Sequence, residues 1–291
     1  MSEAHPHQPN RDQAALWNDA GGRTWVEMQE VLDGMLAPLT APLLEEAFPG
    51  EGGRVLDVGC GAGASALAMA RRLGPKGLCL GVDISGPLVA AARARAAAEG
   101  LASAAFVEAD AQTYGFEPGS FDAVISRFGV MFFDDPAAAF ANIRRAMRRD
   151  AKLAFVAWRS PDENPFMTAA ARAAAPLLPH LRAPEPDAPG QFGFADRDRV
   201  RRILDVSGWT DVDIRPIDAP SGVAEKDLLT YVTRLGPVGL ALRDVDEPTR
   251  ARTAEAVRAA FDAYVRDGAA RFTAACWLVT ARAYPVAARG A

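Results

Sequence analysis

The feature that most constrains this chain is a glycine-rich turn between a short apolar segment and an alanine-rich one. The composition of residues 54–60 predicts a buried strand, and that of residues 64–73 predicts a helix. Gly59, Gly61 and Gly63 stand at the turn in a G-x-G-x-G pattern. Glycine lets the backbone turn sharply and lets a ligand lie against it, beside the positive end of the following helix. The pattern therefore predicts a strand, a turn and a helix, with a ligand at the turn.

The alternation of strands and helices continues along the chain. Further strands are predicted over 78–85, 104–110, 121–126, 152–158, 211–218 and 272–283, and helices over 87–99, 136–148 and 196–207. Strands that alternate with helices indicate a parallel sheet covered on both faces. We expect an α/β fold, a Rossmann-like doubly wound sheet of seven strands that is mostly parallel, with an antiparallel last strand and a helical lid.

The layout divides the chain into regions with different expected roles. A helical segment over 1–50 is expected to cover the cofactor, and the Rossmann-like core is expected over 51–160. The proline-rich stretch 161–195 and the helical patterns within 219–270, at 224–242 and 247–267, are predicted to form insertions that make a lid over the substrate. The core resumes over 196–218 and 271–291.

Charge and cysteine content exclude several classes of protein. The net charge is −5 and the isoelectric point is about 5.4, which argues against nucleic acid as a partner. Three scattered cysteines are too few for a disulfide framework and suggest a reducing compartment. The first residues lack the apolar stretch of a signal peptide, and no run is long enough to span a membrane. We therefore expect a cytoplasmic protein.

Two ligands compete for the glycine turn. Gly59, Gly61 and Ala64 satisfy the dinucleotide pattern G-x-G-x-x-G/A, and Asp83 follows at the distance of its ribose-binding acid. However, Asp57 stands two residues before the first glycine, where it would repel a pyrophosphate. The same carboxylate could accept hydrogen bonds from the ammonium of a methionyl group. Asp57 therefore favours S-adenosylmethionine, with S-adenosylhomocysteine as the product.

This motif resembles that of the class I S-adenosylmethionine-dependent methyltransferases, specifically the small-molecule branch that includes the ubiquinone and menaquinone biosynthesis enzymes. The resemblance covers about residues 14–160 by motif. It implies that the glycine loop carries the methionyl part of the cofactor, through Asp57, Gly59, Gly61 and Gly63.

The ends of the next two strands also match the family. The resemblance implies that Asp83 binds both ribose hydroxyls and that Ile84 lies beside the adenine. The segment 108–112 matches the one whose acid reads the adenine amino group, which implicates Asp110, Ala111 and Gln112. An acid at a strand end can also simply cap the next helix.

The segment 16–28 is similar to the leading helix that folds over the cofactor in this family. Trp17 and Trp25 either shield the cofactor there or pack the helix onto the sheet. Trp17 is included among the predicted cofactor contacts.

The segment 126–136 follows the fourth strand, at the edge that faces the transferable methyl group in the family. Ser126 is predicted to contact the cofactor and Phe128 to line the acceptor pocket. Related enzymes often carry paired histidines here, whereas this chain has Met131 and Phe132, so the obvious base is missing. Positioning and water exclusion can carry much of a methyl transfer without one.

Two residues are candidates for catalysis. Arg127 could stabilise an acceptor anion, or it could form an ion pair with Asp134 or Asp135. His180 is a candidate base if the insertion folds over the site. No cluster of metal ligands is evident in the sequence, so no metal is predicted.

The sequence thus predicts transfer of a methyl group from S-adenosylmethionine to an oxygen or carbon of a small, aromatic or apolar organic acceptor. The protein is expected to be a monomer or homodimer. Two alternatives remain: an S-adenosylmethionine-binding accessory or regulatory protein without methyl transfer, and an NAD-dependent oxidoreductase. The second alternative lacks a recognisable hydride-site pair such as Tyr-x-x-x-Lys.

Overall fold

The computed structural model describes residues 9–181 and 187–283. Its strands form one mixed sheet, with these bounds: β1 Arg54–Val58, β2 Leu78–Asp83, β3 Ala104–Glu108, β4 Phe121–Arg127, β5 Met147–Trp158, β6 Trp209–Ala224, β7 Val265–Arg266 and β8 Ala269–Ala283.

Helices flank this sheet. Three precede it in the chain: α1 Arg11–Asn18, α2 Ala20–Glu27 and α3 Gln29–Ala47. The others are α4 Ala64–Leu73, α5 Gly86–Ala98, α6 Pro136–Ala146, α7 Pro165–Ala174, α8 Arg197–Val206, α9 Glu225–Arg234, α10 Gly236–Ala241 and α11 Glu247–Ala259. Short 3-10 helices lie at Gly129–Phe132, Leu242–Asp244 and Asp262–Tyr264.

The sheet confirms the predicted fold class. Its order is β3-β2-β1-β4-β5-β8-β6, with the two-residue β7 beside β8. The first five strands run parallel, and β8, the last strand in the chain, is antiparallel to both of its long neighbours, β5 and β6. Strands β2 and β3 lie on one side of β1, whereas β4 and β5 lie on the other, so β1 and β4 meet at the point where the strand order reverses. A crevice opens there at the carboxyl ends of the strands, which is where ligands bind in such sheets.

The central strands are buried because helices cover both of their faces. All of β1 except its first residue is buried, as are the last six residues of β5. Helix α3 packs against β4, β5 and β6, and α6 places Phe140 against Phe155 of β5 with ring centroids 5.6 Å apart. Continuous apolar runs are what a parallel sheet buried on both faces requires.

The proline-rich stretch 161–195, predicted as an insertion, contains a regular helix, α7. Pro165 occupies the first turn of the helix, where a missing N–H costs nothing. The side chain of Asn164 holds that start to the sheet: its amide donates to Ala275 O and its carbonyl accepts from Ala275 N, both at 2.9 Å. Residues 182–186 of the predicted insertion lie outside the described residues.

Other boundaries also differ from the prediction. Strand β6 is twice as long as the predicted 211–218, because β8 pairs with it as far as Ala224. The predicted helix over 224–242 is two helices, separated where Leu235 is extended and Gly236 has a φ of +66°. In the described part of the chain, no helix combines the length and the apolarity needed to cross a bilayer.

Candidate cofactor and acceptor site

A cavity of about 450 Å³ opens at the carboxyl edge of the parallel strands. Its floor is the glycine turn after β1, with the segments that follow β2, β3 and β4. Helices α1, α2, α3, α7, α9 and α10 contribute the other walls. A volume in this range suits one small organic ligand or parts of two.

The three glycines of the turn occupy their positions for different structural reasons. At Gly59, with a φ of +66°, a Cβ atom would lie 2.5 Å from Gly129 Cα, so only glycine allows the two loops to approach. At Gly61, with a φ of +53°, a Cβ atom would meet nothing within 4 Å, and the residue lines the cavity. Gly63 packs against Ala92 and Phe106 and does not line the cavity, so it supports the helix rather than a ligand.

Asp57 lies beneath the turn and not at the cavity surface. Its side chain is fully buried, Oδ2 accepts a 2.6 Å hydrogen bond from Ser65 Oγ, and Oδ1 has no partner in the described structure. Burial raises the pKa of Asp57 to about 7, against the opposing effects of the Ser65 hydrogen bond and the positive charge of Arg127. Ser65 lines the cavity and Asp57 does not. The predicted direct contact of Asp57 with an ammonium is therefore corrected, because this carboxylate faces the Ser65 hydroxyl and not the cavity.

Asp83 stands where β2 ends and lines the cavity together with Ile84. Its Oδ2 accepts from Gly61 N at 2.8 Å and its Oδ1 accepts from Ser85 N at 2.9 Å. The cap of α5 is Ser85, whose hydroxyl accepts from Leu88 N, so Asp83 is not merely a helix cap. Burial raises the pKa of Asp83. The carboxylate is thus fixed by backbone donors at a wall where it can also accept hydrogen bonds from ligand hydroxyls.

The segment after β3 divides into cavity residues and structural ones. Asp110 and Ala111, both predicted to contact the cofactor, line the cavity. Gln112 does not: it is buried, and its Oε1 accepts from Asn10 Nδ2 and from Asp135 N, both at 3.2 Å. The prediction for Gln112 is corrected, because its amide joins three loops instead of facing the ligand.

Asn10, which the sequence analysis missed, ties the start of α1 to the site. Its Nδ2 donates to Asp110 Oδ1 at 2.8 Å. Its backbone N donates to Asp134 Oδ2 at 2.6 Å, while its Oδ1 accepts from Asp134 N at 2.7 Å. A φ of 54° explains why asparagine serves here, since it tolerates the left-handed region. No local pattern could have revealed contacts between residues that are a hundred or more positions apart.

Trp17 lines the cavity and also packs against other aromatic rings. Its ring meets Trp25 and Phe132 edge-on, each with centroids 5.6 Å apart. Its carbonyl accepts a 2.6 Å bond from Ser85 Oγ.

The neighbouring residue, Asn18, also binds the segment after β2. Its side-chain amide donates to Ile84 O and its side-chain carbonyl accepts from Gly86 N. Helix α1 is therefore held across the end of β2.

Arg127 lines the cavity but is already engaged by the protein. Its Nη1 donates to Thr40 Oγ1 at 2.9 Å and its Nη2 lies 3.6 Å from Asp33 Oδ1. Burial lowers the pKa of Arg127, and Asp33 and Asp57 counteract this. The predicted ion pair with Asp134 or Asp135 is wrong, because Asp134 binds Asn10, and Asp135 caps α6 by accepting from Ala138 N.

Ser126 and Phe128 have different positions relative to the cavity. Ser126 is buried and does not line it; its Oγ accepts from the N–H groups of Gly129 and Val130, which corrects its predicted cofactor contact. Phe128 does line the cavity. Its ring stacks on that of Trp158, with centroids 4.4 Å apart. Its backbone φ is 68°, which is unusual for a bulky residue.

His180 is not brought to the site. It is exposed and does not line the cavity. The prediction of a base at His180 is therefore corrected. Within residues 9–181 and 187–283, no group of three or more His, Cys, Asp and Glu side chains could hold a metal ion.

The site fits S-adenosylmethionine. The open space above Gly61 accommodates a ligand beside the start of α4, and Ser65 offers a hydroxyl. Asp83 and Asp110 place carboxylates at the ends of two neighbouring strands. S-adenosylmethionine carries an ammonium, a sulfonium and two ribose hydroxyls, and these groups suit an edge lined by carboxylates.

Comparisons with known proteins agree with this geometry. Residues 55–150 match the family model described as a methyltransferase domain. A nocamycin O-methyltransferase from Saccharothrix syringae is 37% identical over 40% of this chain and 41% of its own length. A demethylmenaquinone methyltransferase from Thermus thermophilus is 34% identical over 39% of this chain and 50% of its own length. The chain thus spans half or less of the length of these relatives.

Solved structures show the same fold over most of the chain. A SAM-dependent methyltransferase from Aquifex aeolicus superposes with a TM-score of 0.54 at 16% identity, covering 89% of this chain and 96% of that one. The family match and this fold confirm the resemblance drawn from the glycine turn. Residues 55–150 are thus similar to a methyltransferase domain, as the resemblance to the class I, S-adenosylmethionine-dependent type predicts.

Proposed function

We propose that this protein transfers a methyl group from S-adenosylmethionine to an oxygen or carbon of a small, aromatic or apolar organic acceptor. One observation carries the proposal: the open glycine turn and the carboxylates of Asp83 and Asp110 share a single cavity with an aromatic wall. The relatives named above methylate small molecules, one of them at oxygen according to its name.

Each lining residue then has a distinct task toward the cofactor. Asp83 binds the ribose hydroxyls, Ile84 and Asp110 lie along the adenine, and Gly61 and Ser65 hold the methionyl part. When bound, S-adenosylmethionine supplies a methyl group already activated by its sulfonium. Indole and phenyl rings around the cavity exclude water and restrict the approach of the acceptor, which are the contributions that such a displacement needs most.

The acceptor proton leaves without an imidazole from the described walls. The residues that line the cavity there include no histidine, and Arg127 is bound by Thr40 and Asp33. We therefore assign Arg127 to positioning α3 against the end of β4 instead of to catalysis. An acceptor whose hydroxyl or carbon acid ionises readily near neutral pH suits this site.

An accessory protein that binds the cofactor without methyl transfer is the second candidate. The same lack of an imidazole in the described walls favours it. The two candidates differ in turnover and not in affinity for S-adenosylmethionine, so binding and transfer must be measured separately.

Isothermal calorimetry of the whole chain with S-adenosylmethionine, S-adenosylhomocysteine and NAD tests the cofactor. We expect micromolar binding of the first two and none of NAD. Transfer of radiolabelled methyl to a panel of phenols, quinols and aromatic acids then tests the reaction. Binding without transfer to any of them would favour the accessory role, and binding of NAD alone would contradict the proposed cofactor.

Further proposals concern the surroundings of the site. We propose that the segments within 161–195 and 219–270 act as a lid, since α7, α9 and α10 line the cavity. We also propose a cytoplasmic monomer or homodimer that does not bind nucleic acid. The three buried, free thiols and the acidic net charge support this.

A further inference from the structure

One wall of the cavity, formed by residues 231–243, has no part in the cofactor contacts proposed above. It comprises the end of α9, α10 and the start of the following 3-10 helix. Most of its lining residues are apolar, and three have polar side chains: Tyr231, Arg234 and Arg243. These three groups can distinguish one acceptor from another, because the rest of the wall offers only apolar surface.

The protein itself satisfies one of the three. Arg234 forms an ion pair with Glu27 at the end of α2, so its charge is already balanced. Arg243 and the Tyr231 hydroxyl have no hydrogen bond or ion pair with any residue that the structure describes. Both are therefore available to a ligand.

The charges around the cavity separate by sign. Asp83 and Asp110 lie at the strand ends, where they are bonded to neutral donors. Asp33 is paired with Arg127. Arg243 is the cation without a partner among the described lining residues. A guanidinium keeps its proton in proteins and matches the two oxygens of a carboxylate, so this wall favours an anionic acceptor.

Tyr231 complements this charge. It is half-buried, and burial raises its pKa to about 12. The phenol therefore keeps its proton near neutral pH and serves as a hydrogen-bond donor, not as a base. A hydroxyl held against apolar surface gains most from a ligand oxygen, because leaving it unpaired is costly.

The apolar part of the cavity suits flat rings. Phe128 and Trp158 stack almost parallel, with an angle of 9° between their planes. Phe166 meets Trp158 edge-on, and all three residues line the cavity. Aromatic rings pack well in such offset and edge-on arrangements.

We propose that the methyl acceptor is an aromatic acid: its carboxylate binds Arg243, its ring system packs against the Phe128 and Trp158 wall, and Tyr231 donates a hydrogen bond to a ring oxygen. This rests on the proposed function, since it names the acceptor class for the same site.

Calorimetry with matched probes tests the proposal on the whole chain, with and without S-adenosylhomocysteine. We expect 2-naphthoate to bind about tenfold more tightly than the neutral 2-naphthamide. Arg243→Gln should abolish that preference while leaving amide binding unchanged. Arg197→Gln, which removes an exposed arginine outside the cavity, should keep it.

Tyr231 is tested in the same way with 3-hydroxy-2-naphthoate. Tyr231→Phe should remove the additional affinity that the ring hydroxyl gives over 2-naphthoate. Tyr264→Phe, a change at a half-buried tyrosine outside the cavity, should retain it.

Equal affinity of the wild type for the acid and the amide would overturn the acceptor class, as would an acid preference that survives in Arg243→Gln. A dissociation constant above about 1 mM for both probes would also overturn it. Binding of S-adenosylhomocysteine is a separate measurement, which tests the proposed function. If it fails while the Arg243-dependent preference persists, the proposed function is contradicted and the acid site stands.

Discussion

The two halves of the cavity are held in place by different kinds of contact. The cofactor half, defined as residues 59–61, Ser65, Asp83 and the 110–111 segment, is fixed mainly by backbone geometry and by bonds from backbone N–H groups. The acceptor half, defined as Phe128, Trp158, Phe166 and residues 231–243, is formed by side chains from separate helices and strand ends. Substitutions in the first half should therefore change stability or weaken cofactor binding. Substitutions in the second half should be tolerated and should alter the choice of acceptor.

The largest effect is expected at Gly59. In Gly59→Ala the new Cβ would lie 2.5 Å from backbone Cα of Gly129, in addition to the strain of a positive φ. We expect the free energy of unfolding to fall by several kcal/mol, since backbone cannot move aside as a side chain can. Urea unfolding followed by circular dichroism measures this.

Gly74→Ala is the matched control for that change. Gly74 has a φ of +73° and a ψ of −175°, with open space around the position of a Cβ atom, so only the backbone strain of about 1 to 3 kcal/mol should appear. Equal losses in the two variants would contradict the close-approach explanation for Gly59.

The next largest effect is expected at Asp57 and depends on pH. Burial raises its pKa from the ordinary value to about 7, so the folded state binds its proton more tightly than the unfolded state does. Stability must then decrease as the pH rises from about 4 to about 7, because the ionised carboxylate is penalised only in the folded protein. Asp57→Asn removes this penalty and should raise the free energy of unfolding at pH 8 by on the order of 2 kcal/mol.

The comparison is made by urea unfolding at about pH 5 and pH 8, with wild type and the exposed Asp205→Asn as references. The advantage of Asp57→Asn should shrink at the lower pH, where wild-type Asp57 is largely protonated. An advantage that is the same at both pH values, or absent at pH 8, would contradict the buried ionisation.

Asp83 gives the most specific effect. Asp83→Asn should weaken S-adenosylmethionine binding by about 10- to 100-fold, because hydrogen bonds to a charged acceptor become weaker ones. Stability should change little, because relief of the buried charge on Asp83 opposes the loss of one of the two backbone hydrogen bonds that the carboxylate accepts. Calorimetry with the cofactor measures the first quantity, and thermal unfolding the second.

This variant also sharpens the comparison between the halves. Asp83→Asn should leave the affinity for the naphthoate probe unchanged in the absence of cofactor, and Asp205→Asn should change neither affinity. Loss of probe binding in Asp83→Asn would show that the two halves are not independent.

Much of the cofactor half could be predicted from the sequence because its elements are local. The strand, the glycine turn and α4 follow from about twenty consecutive residues, and α4 has the predicted bounds of 64–73. Asp83 and Asp110 follow from the same repeating unit, since each comes at the end of a strand and the strand ends converge at one edge.

Predictions failed where a residue type fits two environments. Asp57, Gln112 and Ser126 are all close to the cavity, yet each turns to the protein: to Ser65, to Asn10 and to the N–H groups of the turn after β4. Motif position determines the neighbourhood of a side chain, but the local packing determines which way it points.

The sequence by itself determined the α/β alternation, the strand-end acids and the class of cofactor, because each rests on residues that are neighbours in the chain or repeat at the spacing of one strand–helix unit. Only the tertiary structure decided that Asn10 bonds to Asp110, that Thr40 and Asp33 engage Arg127, and that Tyr231 and Arg243 face the same cavity as Phe128. Such contacts join distant parts of the chain, so they depend on how the helices pack on the sheet, and no local pattern encodes them.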